Sequence, residues 1–182
     1  MSPIRFYSML LAGACLLLPG AINAADDSEN AGRVSGHMGI KDEAFIRKAA
    51  QDGMMEMQLG ELAVQRGKRD DVKKMGALMV TDHGKINDDI KQIASKAGIT
   101  LPEQLDTIHA GVIDRIGKLE QDQFDKAYID EMIKDHKEDV SGLQDEMKTT
   151  GDSGIKAFIA KTLPVIKAHL AHVQKLAGAS PQ

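Results

Sequence analysis

Apolar residues return every three or four positions through four long stretches of this chain, and each register predicts a helix with one buried face. In the first stretch, which Asp42 can cap and Gly67 ends, Phe45, Ala49, Leu59 and Ala63 share a stripe with Glu56. The second runs from a cap at Asp70 to Ala97, before Gly98, and buries Val72, Met75, Met79, Ile86, Ile90 and Ile93. The third begins near Phe124 and stops before Gly151, with Met132, His136, Val140, Leu143 and Met147 in register. Asp152 or Ser153 caps the last, whose stripe is Ile155, Phe158, Ile159, Ile166, Leu170 and Val173. Pro164 removes one backbone hydrogen bond there and predicts a bend.

Short turns join the first helix to the second and the third to the fourth, but Ile99 to Gln123 is too long for a hairpin. Within it Leu105, Ile108, Val112, Ile116 and Leu119 recur at helical spacing and predict a short amphipathic helix. Two helical hairpins joined in this way describe an all-α, ferritin-like four-helix bundle over residues 42–178, with a long crossover carrying a short extra helix. An up-down bundle with an added helix is the rival arrangement. The first helix also has a second apolar face, formed by Ile46, Ala50, Met54, Met57 and Val64. The crossover helix, a second copy of the chain or a partner protein would cover it.

Ahead of the helices the pattern changes twice. Residues 1–24 combine Arg5, an apolar run from Met9 to Leu18 and the small-residue segment Ala21-Ile22-Asn23-Ala24, the layout of a secretory signal peptide. That run is too short to cross a bilayer, which takes about twenty residues, and no later segment reaches that length without charges. The mature chain is therefore expected in the periplasm, without a transmembrane segment. Residues 25–41 are small, polar and glycine-bearing, and read as a flexible tether.

Cys15 leaves with the leader, so neither a disulfide nor a thiolate site is expected in the mature chain. Arg5 leaves as well, and the loss of one positive charge takes the net charge from -4 to -5. With no stripe of Lys and Arg, that balance argues against nucleic acid as a partner. Phe45, Phe124, Tyr128 and Phe158 are too few to stack on bases or sugars. Gly-x-Ser-x-Gly, phosphate-loop and dinucleotide motifs are missing, which sets aside hydrolase and nucleotide chemistry and leaves open whether the protein is an enzyme.

The candidate chemistry sits on the apolar faces themselves. Glu56, His83, His136 and His169 face inward on four different helices, and counting from the two turns at about 1.5 Å per residue puts their heights within one helical turn. A buried carboxylate without a partner costs several kcal/mol or takes up a proton, so this convergence asks for a metal ion or a self-satisfied polar network. Three imidazoles and one carboxylate suit a single ion of Fe, Zn or Cu. Met79-x-x-Asp82-His83 recurs as Met132-x-x-Asp135-His136. Asp82 and Asp139, on the borders of their stripes, are placed to orient a histidine ring from behind. Gly84, next to His83, is expected to permit close helix approach or a local distortion. His172 and His109 read as solvated, His37 belongs to the tether, and Met54 and Met57 read as packing or contact surface rather than thioether ligands.

Five segments together resemble an uncharacterised bacterial ferritin-like family, domain of unknown function 4142. They are Glu56-x-x-Leu59-Gly60-x-Leu62-Ala63, Met79-Val80-x-Asp82-His83, Phe124-Asp125-x-x-Tyr128, Asp135-His136, and Leu163-Pro164 followed by His169-Leu170. The resemblance runs from Ala44 to Leu176 and implies a four-helix fold and an envelope location, with no settled activity. Members are labelled exported or outer-membrane proteins, yet the chain lacks the alternating strands of a barrel. Ferritin-like di-iron proteins carry Glu-x-x-His on two helices; none occurs here, so a ferroxidase or iron-storage centre is not expected. The reading that follows is an exported bundle with a metal at a buried His/Glu layer, in a redox or stress-related role. The alternative is a non-enzymatic envelope structural or interaction module, contacting itself or another envelope protein through the first helix, with a metal-free polar network inside.

Overall fold

The computed structural model describes residues 38–179, which form five helices: α1 (Ile40–Arg66), α2 (Asp70–Ala97), α3 (Thr107–Gly117), α4 (Gln121–Thr149) and α5 (Ser153–Gly178). The expected signal peptide and most of the tether lie outside the described residues.

Two apolar clusters determine how the helices run. One gathers Leu59 and Ala63 from the end of α1, Val72 and Met75 from the start of α2, Phe124 and Tyr128 from the start of α4, and Val173 and Leu176 from the end of α5. The other gathers Ile46 and Ala50 from the start of α1, Ile90 and Ala94 from the end of α2, Leu143 from the end of α4, and Ile155 and Ile159 from the start of α5. Thus α1 and α5 run one way, α2 and α4 the other. The segment between Gly98 and Glu120 therefore travels the length of the bundle, which is the ferritin-like crossover. Each fully buried Leu, Ile, Met or Phe in these clusters stabilises the fold by about 1.5–3 kcal/mol relative to exposure, and no cysteine remains in the described residues to add a covalent staple.

The crossover is tied along α1. The Arg47 guanidinium donates to the Thr100 carbonyl, Gln51 donates to the Gln104 carbonyl at 2.9 Å and accepts from the Asp106 amide at 3.0 Å, and Arg66 donates to the carbonyls of Gly117 and Leu119. Asp106 caps α3 by accepting from the amides of Ile108 and His109. Of the expected stripe Ile116 enters the core, whereas Ile108 stays 75% exposed. The second apolar face of α1 is divided: Ile46 and Ala50 join the core, and Met54 and Met57 are half-buried in a groove they share with Leu101 and Pro102. Val64 remains exposed.

Three helix starts differ from expectation. α1 begins at Ile40 behind Gly39, so Asp42 lies in the first turn, where its charge still suits the helix dipole. Asp70 is the first residue of α2 rather than its cap, because the turn before it is held from across the bundle. The amides of Lys68 and Arg69 donate to the two carboxylate oxygens of Asp125 on α4, at 3.0 and 2.9 Å. α4 begins at Gln121, one polar turn ahead of Phe124 that apolar periodicity does not register. Asp152 is the cap of α5, accepting from the Ile155 amide at 2.9 Å, and α5 continues through Pro164.

Two glycines are demanded by space. A Cβ on Gly76 would lie 2.5 Å from the Gly60 carbonyl oxygen, and one on Gly60 would lie 2.7 Å from that of Gly76, so α1 and α2 touch backbone to backbone there. Gly84 is not in that position: a Cβ there would meet only the tip of Met57, at 3.9 Å, in ordinary contact. The close approach expected beside His83 occurs two turns away.

Candidate metal centre

Between the two apolar clusters the core changes character. Glu56 of α1, His83 of α2, His136 of α4 and His169 of α5 all come together there, each almost fully buried. The three imidazole centroids form a nearly equilateral triangle with sides of 5.5, 5.4 and 5.5 Å. One ligand atom from each of these rings lies within 4.8 Å of the other two. Helix register explains the convergence, because each residue sits on its helix between the residues that feed the two clusters.

Carboxylates hold two of the rings from behind. Glu56 Oε2 lies 2.6 Å from His83 Nδ1, and its Oε1 lies 3.3 Å from His136 Nδ1. Asp82 Oδ2 lies 3.2 Å from His169 Nε2. Protein groups leave His83 Nε2, His169 Nδ1 and both nitrogens of His136 without a hydrogen-bond partner. Glu56 thus sits where a carboxylate orients rings, on the Nδ1 side of two histidines, while the unpaired nitrogen of His83 is Nε2. Asp82 stands in the same relation to His169. Among the described residues Asp139 makes no ion pair with a histidine, and it belongs to an overlapping group with Glu56, Asp135 and His136.

Burial sets the protonation. Loss of water pushes His83 down to about 4 and His136 to about 3, the latter also repelled by His83 and His169. His169 is lowered by burial as well, against the pull of Asp82. The triad is therefore neutral at physiological pH and presents lone pairs, the form in which imidazole binds a metal. Burial, then Asp135 and Asp52, raise Glu56 well above the usual carboxylate range, and burial and Asp52 raise Asp135 to about 6. Burial and the neighbouring carboxylates thus favour the neutral form of the Glu56 carboxyl in the metal-free site.

Asp135 joins the site although it was not among the expected site residues. The signal was in the repeated Met-x-x-Asp-His string, whose two aspartates find different partners: Asp82 turns to α5 and Asp135 to α1. His109 was expected in solvent and is not there. The crossover lays it over α1, with Nε2 at 3.0 Å from the buried Asp52 and Nδ1 at 2.8 Å from Asp106. Burial pulls its pKa down, but the bonds to Asp106 and Asp52 outweigh this and leave it raised. A group raised on folding stabilises fully below its unfolded pKa and loses that contribution as pH climbs through the folded value. Wild type should therefore melt above His109→Gln below about pH 6.5, and the gap should narrow as pH climbs above that value. A gap independent of pH in thermal melts would place the contribution in packing alone.

A family profile with the description "Domain of unknown function (DUF4142)" matches residues 25–176. The chain belongs to the DUF4142 family. No protein of curated function matches it. Among solved structures, this DUF4142 chain is similar in fold to a DUF305 fragment from Deinococcus radiodurans, with a TM-score of 0.70 and 10% identity over 79% of this chain and 99% of that one. It is also similar to CopM in its Ag-bound form, with a TM-score of 0.62 and 15% identity over 75% and 94% of the two chains. At such identities the likeness establishes the helical bundle.

The segments that carry the family resemblance separate by role in the structure. Phe124 stacks on Tyr128 and lies under the Arg66 guanidinium, Asp125 holds the α1–α2 turn, and Gly60 permits helix contact, all of which build the fold. Glu56, His83, Asp135, His136 and His169 converge on the layer. Among the described residues no helix is long and apolar enough to cross a membrane.

Proposed function

We propose that this DUF4142 protein is exported to the periplasm and holds one transition-metal ion, Fe, Zn or Cu, on His83, His136 and His169, with Glu56 and Asp82 orienting the rings. One observation carries this reading: three buried, neutral imidazoles from three helices bring one ring nitrogen each within 4.8 Å of the other two, and each ring keeps a nitrogen without a protein partner. Each buried polar atom left unpaired costs about 1–3 kcal/mol, and a single ion accepting three lone pairs removes that cost at once. The donors fit the group. All are nitrogen, all are deprotonated, and two are fixed by a carboxylate on the opposite ring atom, the arrangement that sets tautomer and orientation in metal sites.

When bound, the ion supplies Lewis-acid chemistry, and electron transfer as well if it is Fe or Cu, which is the condition for a redox or stress-protective role. CopM, of similar fold, is known in an Ag-bound form, and Cu(I) is the biological ion nearest to Ag(I) in softness, so copper belongs in the first assay.

The test is elemental analysis of mature protein taken from the periplasm without chelator or affinity-tag metal. Near-stoichiometric metal is expected in wild type, falling to about a tenth or less in His136→Ala and His169→Ala, with thermal stability falling in parallel. Metal-free protein in every case, before and after reconstitution, would overturn the reading and return the layer to a polar network closed by water.

A further inference from the structure

We infer that a second cation site lies beside the histidine triad, formed by Glu56, Asp135 and Asp139 with His136, and that it takes a hard divalent cation such as Mn2+ or Fe2+. One ligand atom from each of these four residues lies within 4.8 Å of the other three. Asp135 and Asp139 are one turn apart on α4, with His136 between them in sequence, and Glu56 comes from the facing helix α1.

The cluster is more than a patch of acid. Glu56 and His136 are almost wholly buried and Asp135 is 7% exposed, yet Glu56 Oε1, Asp135 Oδ2 and His136 Nδ1 have no hydrogen-bond partner among protein groups. Two of these orphans, Glu56 Oε1 and His136 Nδ1, are 3.3 Å apart and so belong to one locus. Lys48, whose charge reaches Glu56 and Asp139, does not neutralise them: its ammonium pairs with Asp52 at 2.5 Å. Three carboxyls and one imidazole make an oxygen-dominated set, which suits Mn2+ or Fe2+, whereas the three nitrogens next to it suit a softer ion.

A route in exists. A cavity of about 110 Å³ among α1, α2, α4 and α5 reaches Glu56, His83 and Asp139, walled by Phe45, Ile86 and Phe158. Asp52, Glu138 and Lys48 also line it, and with Lys48 paired to Asp52 the lining keeps an excess of carboxyls. The inference rests on reading the triad as a metal centre, because Glu56 and His136 face both loci; the neutral ring of His136 has one lone pair, so with the triad filled the second ion is held by the carboxyls of Glu56, Asp135 and Asp139.

The experiment uses the full mature chain. Zn2+ is added to one equivalent, then Mn2+ is titrated and its free aqueous signal followed by electron paramagnetic resonance. Wild type is expected to retain zinc and take up one further equivalent of manganese. Asp135→Asn/Asp139→Asn should keep zinc and bind manganese at least about tenfold more weakly, since an amide keeps the size of the carboxyl and loses its charge. His169→Ala should do the reverse. Asp139→Asn alone, at a half-buried position, gives the same reading if the double variant does not fold. Zinc binding without manganese uptake in wild type overturns this inference and leaves the triad standing, as does uptake that ignores the aspartate changes. Carboxyl-dependent manganese uptake without zinc binding overturns the triad instead and supports the second locus.

Discussion

Stripped of metal, His136→Leu is expected to be more stable than the wild type, by about 2–4 kcal/mol. Both ring nitrogens of His136 are buried without partners, and the residue is 0% exposed, so folding of the metal-free chain carries their full desolvation cost. Leucine is close in volume and brings no polar atom to that space, between Met132 and Leu143 on the same helix. In a domain of this size the gain corresponds to about 5–15 °C in Tm.

Metal should invert the order. An ion that binds only the folded wild type adds about 4 kcal/mol at a thousandfold excess over its Kd, and the leucine variant gains nothing comparable. Acid gives a second signature. The folded pKa of His136 is lowered to about 3, so as pH falls below the unfolded value the unfolded chain binds the proton first. Stability tied to this ring is therefore present above about pH 6.5 and lost as pH falls toward about 3, a loss that His136→Leu escapes. A leucine variant that melts below the metal-free wild type would show that the imidazole is packed for structure rather than held ready for a ligand.

Gly76→Ala should cost about 3 kcal/mol in denaturant unfolding and loosen metal binding with it. The new methyl would fall 2.5 Å from the Gly60 carbonyl oxygen, 2.8 Å from Ala63 Cβ and 3.2 Å from the Val64 amide. Two of those neighbours are backbone and cannot rotate away, so α1 and α2 must part by most of an ångström. That separation opens the packing of Leu59, Met75 and Met79, and draws Glu56 of α1 away from His83 of α2, which it now meets at 2.6 Å. Alanine is the better helix former by about 1 kcal/mol, so an unchanged or raised midpoint would mean that the helices separate at no cost and that the glycine contact is incidental.

The elements were legible because an α-helix imposes its own period whatever surrounds it. Apolar spacing found four long helices and the crossover helix, while α1, α2 and α4 begin at residues other than those expected. Those starts depend on groups that periodicity does not record, such as the Asp125 carboxylate holding the Lys68 and Arg69 amides from another helix. The depth of the polar layer was legible for a related reason. Rise per residue is constant, so distance from a turn fixes height, and Glu56, His83, His136 and His169 come to one level once two antiparallel hairpins are assumed.

Residue periodicity says which side of a helix faces inward, and nothing about which atom of that side meets which neighbour. Whether Glu56 approaches the histidines through Nδ1 or Nε2, that Asp135 joins Glu56 in one cluster while its counterpart Asp82 meets His169, and that His109 of the crossover covers Asp52 all depend on how far apart the helices pack and at what rotation. Those offsets are fractions of an ångström, set jointly by side chains distant in sequence, such as the backbone contact of Gly60 with Gly76. The sequence by itself determined the helices, their inward faces and the level at which polar groups gather, because backbone geometry is local. Only the tertiary structure decided which nitrogens are left free and which carboxyls crowd together, because hydrogen bonding is decided between helices, over distances shorter than any sequence period can resolve.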